Sequence, residues 1–307
     1  MRMSGGGLDM MIEVKHLTRD YGNGKGVFDV SFSLTRGEAF GFLGPNGAGK
    51  TTTLRHLMGF LRPQAGSCYV NGRDCWANSA DIQRGLGYIP GEISFLDDMT
   101  GLSYLRFIAR YRGMRDDGRM KALIDRFELD ARGKIKKMSK GMKQKIGIVA
   151  AFMHDPEALI LDEPSGGLDP LMQNRFIDLL NEEKKKGKTI FMSTHLFEEV
   201  EDTCDKVALI KDGRIIDVKA TVEIRHNENK TFKIEFLSHE DYTRFTAVNF
   251  VSGISFAEKR EDQNQVLMLV HDTSINRFFS VLKEYNVKFL RENKYTLEQY
   301  FNSLYLK

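Results

Sequence analysis

The chain has 307 residues, room for one large domain and one small one, and with 41% hydrophobic and 28% charged residues it can bury a core and stay in water. A formal charge of +3 is nearly balanced at this length and makes no electrostatic case for a nucleic-acid partner. The apolar runs break off well before a membrane-spanning length and the N-terminus shows no apolar leader, so any membrane role is expected to be peripheral. Cys68, Cys75 and Cys204 have no metal-ligand spacing and read as reduced packing residues.

Met1 to Asp9, with Gly5-Gly6-Gly7, is expected to be a flexible leader, and Met10 or Met11 is a candidate start. Ile12 to Leu17 alternates like a strand with one covered face. Tyr21 follows in a turn-rich segment, and Val27 to Leu34 alternates again. Ala39-Phe40-Gly41-Phe42-Leu43 is an apolar run that reads as a buried strand. The next residues, Gly44, Pro45, Asn46, Gly47, Ala48, Gly49, Lys50, Thr51 and Thr52, fit G-x-x-x-x-G-K-[ST] without a gap. Glycines let backbone N–H groups turn inward onto phosphate oxygens. The helix expected from Thr52 to Met58 adds unpaired donors and the positive end of its dipole. Lys50 supplies a mobile charge for the outer phosphates, and the Thr51 hydroxyl is placed to ligate Mg²⁺. By itself the loop specifies only a nucleoside triphosphate.

Gly66 to Gly72 reads as strand and turn, Asp81 to Arg84 as a short helix, and Leu86 to Ile89 as a strand ending at Pro90. From Thr100 to Leu129 the pattern turns helical, with Thr100 as an N-cap and a second helix around Ala122 to Phe127. A third helix is expected from Lys140 to about His154, capped by Ser139 and stopped by Pro156. Ala158 to Leu161 is a continuous apolar strand, as in a parallel sheet covered on both faces. Leu171 to Lys186 is a helix, Thr189 to Met192 a strand, and Val207 to Ile216 a hairpin turning at Asp212-Gly213. The strand–helix alternation means an α/β fold. After Thr221 the character changes. Arg225 to Lys230 reads as a polar linker, followed by strand, helix, hairpin, helix and strand up to Leu290. That order predicts a small α+β, ferredoxin-like module. Tyr295 to Leu306 reads as a closing helix, with Leu297, Tyr300, Phe301, Leu304 and Tyr305 available for docking.

Asp162 and Glu163 sit at the carboxyl end of a buried strand, where open α/β sheets bind ligands. One carboxylate can hold Mg²⁺ and the other can polarise an attacking water. His195 ends the next strand, in reach of a γ-phosphate or simply packed. Met138-Ser139-Lys140-Gly141-Met142 opens a helix, as an anion site or an ordinary N-cap, and Ser165-Gly166-Gly167-Leu168-Asp169 is a loop after the acidic pair. In order and spacing this set resembles the ATP-binding subunit of an ABC transporter over about Ile12 to Ala220. Gly44 to Thr52 resembles the Walker A loop, Leu159 to Glu163 the Walker B strand, Met138 to Met142 the signature, Ser165 to Asp169 the D-loop and His195 the switch histidine. Tyr21 matches the residue that stacks on adenine, worth about 1–3 kcal/mol where base stacking has been measured.

The resemblance implies a P-loop NTPase core over 10–220, with an antiparallel β subdomain and a helical insertion at about 95–155, and an accessory domain at 221–307. It implies ATP and Mg²⁺, bound head-to-tail between two such subunits. Gly44 to Thr52 and Tyr21 of one subunit would hold ATP, and Ser139 and Gly141 of the other would complete the site. Glu163, His195 and Lys50 are the implied catalytic groups, and Thr51 and Asp162 the metal ligands. The partners implied are an integral-membrane permease and the second ATP-binding subunit, at the cytoplasmic face of the cell membrane. Two departures stand out. The signature carries Lys140 and Met142 where Gly and Gln are usual; Lys140 either strengthens anion contact or is solvated. The position of the expected Q-loop glutamine is Gly91, followed by Glu92, which is the candidate replacement at the metal. Pro90-Gly91-Glu92 and the ending Thr296-Leu297-Glu298-Gln299-Tyr300-Phe301 resemble an ABC-2-type, drug-resistance branch of exporters. A non-transport ABC ATPase and an ATP-sensing module are the rivals. The first usually carries paired cassettes or coiled-coil insertions; the second would not need Glu163 and His195. Lys184 to Lys188 is either a solvated helix end or a lipid-binding patch.

Overall fold

The computed structural model describes residues 9–96, 98–225, 228–293 and 295–305, with the backbone only of Arg225 and Tyr305. The leader up to Leu8, and Leu306 of the closing helix, lie outside these residues. Asp9 is held rather than loose: the Arg36 N–H donates to its carbonyl at 2.9 Å, and Arg36 Nε meets its carboxylate at 3.0 Å. The chain divides into two compact units that meet in sequence between Ala220 and Thr221.

The first unit runs β1 (Met10–Asp20), β2 (Gly26–Thr35), β3 (Ala39–Leu43), α1 (Lys50–Leu57), β4 (Ala65–Val70), β5 (Arg73–Asp74), α2 (Ser79–Gly85), β6 (Leu86–Ile89), α3 (Gly101–Tyr111) and α4 (Gly118–Arg126). It continues with α5 (Lys140–Phe152), β7 (Ala158–Asp162), α6 (Pro170–Lys185), β8 (Thr189–Thr194), α7 (Phe197–Thr203), β9 (Lys206–Lys211) and β10 (Arg214–Ala220). Six strands form a sheet ordered β10-β9-β3-β8-β7-β6, parallel except for the β9–β10 hairpin. Every residue of β3, β7 and β8 is buried. Both faces are covered, which is why these stretches are apolar without alternation. A second, antiparallel sheet has the order β2-β1-β4-β5. Phe32 on β2 ties it to the first, with ring centroids 5.4 Å from Phe40, Phe42 and Phe191. Such ring pairs add about 0.5–1.5 kcal/mol each beyond their buried area.

The helical insertion is α3, α4 and α5. Thr100 and Ser139 cap two of these helices, their hydroxyls accepting from Ser103 N–H and Met142 N–H. Arginines fasten the insertion to α6. Arg119 reaches Glu183 at 2.8 Å, Arg126 reaches Glu182 at 2.7 Å, and Arg175 reaches Glu128 at 2.6 Å. Burial alone would raise the Glu183 carboxyl, but hydrogen bonds from Lys186, Lys188 and Arg119 outweigh it and bring the pKa down to about 2. The lysine run is therefore no free patch. Lys184 pairs with Asp205 at 2.7 Å, Lys186 with Glu183 at 2.8 Å, and Lys188 is buried between Glu183 and Asp155.

The second unit comprises α8 (Thr221–Arg225), β11 (Asn229–Phe236), α9 (His239–Thr246), β12 (Ile254–Arg260), β13 (Gln265–His271), α10 (Ile275–Leu282), β14 (Val287–Asn293) and α11 (Leu297–Tyr305). Its sheet is antiparallel, ordered β12-β13-β11-β14. This is the split β-α-β arrangement of a ferredoxin-like fold. Phe232, Ile234 and Phe236 alternate inward from β11 onto Phe245 and Phe278 of the helices. At the expected linker, Arg225 ends a helix and Asn229 and Lys230 already belong to β11, while His226 and Asn227 lie outside the described residues. On α11, Leu297 and Phe301 are buried, and the helix packs against α8.

Candidate functional site

The loop from Gly44 to Gly49 leaves the end of β3, the centre of the parallel sheet, and delivers Lys50 as the first residue of α1. The helix thus starts two residues before the sequence pattern predicts. Glycine is required at two points. A Cβ at Gly44 would lie 2.3 Å from the Ile210 carbonyl, and Gly49 has φ 106° with Val27 Cγ1 2.7 Å from where its Cβ would stand. The loop is therefore pressed against β9 and β2.

An open cleft of about 400 Å³ lies over the loop. Pro45, Asn46, Gly47, Gly49, Lys50, Thr51 and Thr52 form its floor, with Tyr21 and Glu163 at its sides. Gly44 and Ala48 belong to the same loop; Ala48 is buried beneath it. Tyr21 is 50% exposed and carries the Arg19 guanidinium 5.3 Å from its ring centre.

Lys50 is 6% exposed. Its Nζ donates to the Gly44 carbonyl at 2.7 Å and the Pro45 carbonyl at 3.2 Å, and lies 3.3 Å from Glu163 Oε1. The ammonium is desolvated but fully occupied, so it can be handed to a phosphate without being stranded. Thr51 Oγ1 donates to Asp162 Oδ2 at 2.8 Å, and the Ser193 hydroxyl donates to Asp162 Oδ1. Thr51 and Asp162 thus put two hard oxygen atoms side by side next to the floor of the cleft. Among the described residues no group of three or more His, Cys, Asp or Glu could hold a metal. The sparse oxygen pair suits Mg²⁺, which keeps waters and phosphate oxygens in its shell.

Glu163 leaves the strand at φ 48°, with its N–H donating to the Ser193 carbonyl at 2.9 Å. A non-glycine residue in the left-handed region is strained, and here that turn separates the directions of two consecutive acids. Asp162 points at Thr51 and Ser193. Glu163 points at Lys50 and at His195, whose Nδ1 is 2.6 Å from Glu163 Oε2. A carboxylate only accepts, so His195 Nδ1 carries the proton of that bond.

Three residues singled out from the sequence stay outside this group. Ser139 and Gly141, at the start of α5, do not line the cleft. A Cβ at Gly141 would stand 2.7 Å from the Gly167 carbonyl, so this helix start is pressed onto the loop after Glu163. Gln144 fastens the same contact, donating to the Pro164 carbonyl at 2.6 Å. Glu92 is exposed and does not line the cleft either. Its neighbour Gly91 comes closest to the acids: a Cβ there would be 3.0 Å from Asp162 Oδ2. Sequence reasoning missed Ser193 as a partner of Asp162, and missed α7 with its buried Glu199. The only sequence signal for either was the run of hydroxyls, Ser193-Thr194, before His195.

The profile of the ABC transporter family matches residues 27–166. The linearmycin resistance ATP-binding protein LnrL of Bacillus subtilis is 33% identical over 219 residues, which is 70% of this chain and 70% of that protein. The bacitracin transport ATP-binding protein BcrA of Bacillus licheniformis is 34% identical over 213 residues, 68% of this chain and 70% of its own length. Among solved structures, an ATP-binding subunit of an ABC transporter is 34% identical with a TM-score of 0.65, covering 70% of this chain and 92% of that one. With relatives this similar over most of their length, and with the loop and Glu163 lining one cleft and His195 bonded to Glu163, the chain belongs to the ABC transporter family, among its ATP-binding subunits.

Proposed function

We propose that this subunit hydrolyses ATP and thereby energises an integral-membrane exporter, acting as a dimer with a second ATP-binding subunit. One arrangement carries the reading: Asp162 engages the Thr51 and Ser193 hydroxyls, while Glu163, next in the chain, stands between Lys50 and His195. Two adjacent acids have two separate tasks. Tyr21 stacks on the adenine, and the loop N–H groups with the α1 dipole receive the phosphates. Lys50 leaves the Gly44 and Pro45 carbonyls for the outer phosphate oxygens. Glu163 accepts the proton of the attacking water, and His195, bonded to it, holds that carboxylate in place and faces the γ-phosphate. Mg²⁺, held by Thr51 and Asp162, would neutralise charge on the outer phosphates.

Ser139 and Gly141 are exposed or half-exposed and do not line their own chain's cleft, which supports a role across the dimer: they close the ATP held by the partner. Similarity to proteins named for linearmycin resistance and bacitracin transport supports an exporter as the client. Among the described residues no helix is long and apolar enough to cross a membrane. The similarity to ATP-binding proteins of resistance and transport systems supports a membrane permease as the partner and the cytoplasmic face of the membrane as the place. The ferredoxin-like unit, 221–307, is proposed as an accessory domain. The full chain should hydrolyse ATP in a steady-state assay, and chelating Mg²⁺ should stop it. ATP bound with no phosphate release, alone or with the permease, would return the chain to the sensing reading.

Glu92 is proposed to take the metal and coupling contact of the missing glutamine, since Gly91 already approaches Asp162. As an outer ligand its loss should lower Mg²⁺-dependent turnover by about 10- to 100-fold. Glu92→Ala with turnover and transport coupling intact would refute that role.

A further inference from the structure

The Glu199 carboxylate on α7 has no part in the mechanism above, yet it lies beneath the two segments that carry it. It is 4% exposed. Thr194 Oγ1 donates to Glu199 Oε2 at 2.8 Å, and the same hydroxyl oxygen accepts the Leu196 N–H at 3.0 Å. These two bonds close the turn on either side of His195. Ser165, in the loop that follows Glu163, lies beside the same carboxylate. Burial is the largest influence on Glu199 and raises its pKa; Ser165 and Thr194 act the other way and favour the charged form. Glu163 and His195 are near enough to act on it too, in opposite senses. Its second oxygen, Oε1, has no hydrogen-bond partner among the described residues. A buried acid is a costly way to fill space. Val200 and Thr203 already bury the inner side of this short helix, so packing does not call for one.

We infer that Glu199 is a positioning residue: its carboxylate fixes the turn bearing His195 against the loop bearing Glu163, and so sets the contact between those two groups. The inference rests on the reading that Glu163 and His195 act on ATP. It differs from a plain structural role because the link runs through one hydroxyl, that of Thr194. Removing either end of the link should have the same consequence.

The test is steady-state ATP turnover of the full chain with Mg²⁺, with thermal denaturation of each variant as the check on folding. Glu199→Ala should lower kcat by about 10- to 100-fold, the scale of a misplaced catalytic group, with KM for ATP unchanged. Glu199→Gln keeps an acceptor for the Thr194 hydroxyl and should recover most of the turnover. Thr194→Val added to Glu199→Ala should cost less than the product of the two single losses, since both cut the Thr194–Glu199 bond and only the Leu196 N–H acceptor is lost in addition. Full turnover in Glu199→Ala, losses that multiply in the double variant, or a folded Glu199→Gln that stays as slow as Glu199→Ala would each overturn the inference. If Glu199→Ala does not fold, Thr194→Val decides alone: kcat must fall at constant KM, and an unchanged kcat is a refutation. A wild-type chain that turns over no ATP would overturn the proposed function, and this inference with it. Wild-type turnover with any of the refuting outcomes would overturn this inference alone.

Discussion

Lys50→Ala is expected to nearly abolish productive ATP binding, and turnover with it. Two lysines, Lys25 and Lys50, line the cleft, and Lys50 is the one buried beneath the loop carbonyls, so it is desolvated. A hydrogen bond to a charged group contributes about 1.5–3 kcal/mol, and Lys50 can offer more than one to the outer phosphates. Affinity should therefore fall by at least about tenfold, at about 1.4 kcal/mol per tenfold. Turnover should fall further, because charge on the transferring phosphoryl group would lose its nearest neutralising partner. A second effect adds to the first. Without the ammonium, Glu163 loses a cation 3.3 Å away, and the Gly44 and Pro45 carbonyls lose their donor. Titration with a fluorescent ATP analogue, beside a melting curve for the variant, separates lost binding from lost folding. Near-normal binding and turnover in a folded Lys50→Ala would contradict the placement of ATP on this loop.

Glu163→Gln should behave differently. The amide keeps the shape of the side chain and an acceptor for His195 Nδ1, but it cannot take a proton from water. Binding should survive, and the loss of a negative charge beside the phosphates should if anything tighten it. Turnover should drop by about 10²- to 10⁴-fold, the usual contribution of a positioned acid–base group. Asp162 does not replace it, because its two oxygens are taken by Thr51 and Ser193. Single-turnover release of phosphate from pre-bound ATP reads the chemical step directly. Normal turnover in Glu163→Gln would remove Glu163 as the base.

What could be seen in the sequence divides along a physical line. Gly44 to Thr52 was legible because its requirements are local: glycines beside the sheet, a helix start, one lysine and one hydroxyl in fixed order. The buried strands were legible for the same reason, as unbroken apolar runs before a helix or an acidic pair. The ferredoxin-like order followed from alternation and helix periodicity in a short stretch. The remainder depends on partners distant in the chain. Ser193 bonds Asp162 across 31 positions, and His195 bonds Glu163 across 32, because β7 and β8 are neighbours in the sheet. Nothing in the local pattern encodes that Ser193, rather than water, takes the second oxygen of Asp162. The helix α7 is seven residues long and strongly acidic, and it offers only Phe197 and Val200 as apolar positions. Its reason to exist is tertiary: Val200 is buried against Gly41 of β3, and Glu199 is buried against Thr194 at the end of β8. Of the lysine run, Lys185 and Lys186 are exposed as a solvated helix end requires, whereas Lys184 and Lys188 pair with Asp205 and Asp155, outside the helix itself, which no local pattern encodes.

The central claim is that one subunit grips the triphosphate and a second subunit completes the site with the helix start at Ser139. The most direct measurement is the mass of Glu163→Gln in solution, by light scattering, with and without ATP and Mg²⁺. ATP should convert monomer to dimer, and Ser139→Arg, which blocks the helix start without touching the cleft of its own chain, should prevent the conversion while ATP still binds. A variant that binds ATP yet stays monomeric, or a dimer that forms equally well with Ser139→Arg, would contradict the account.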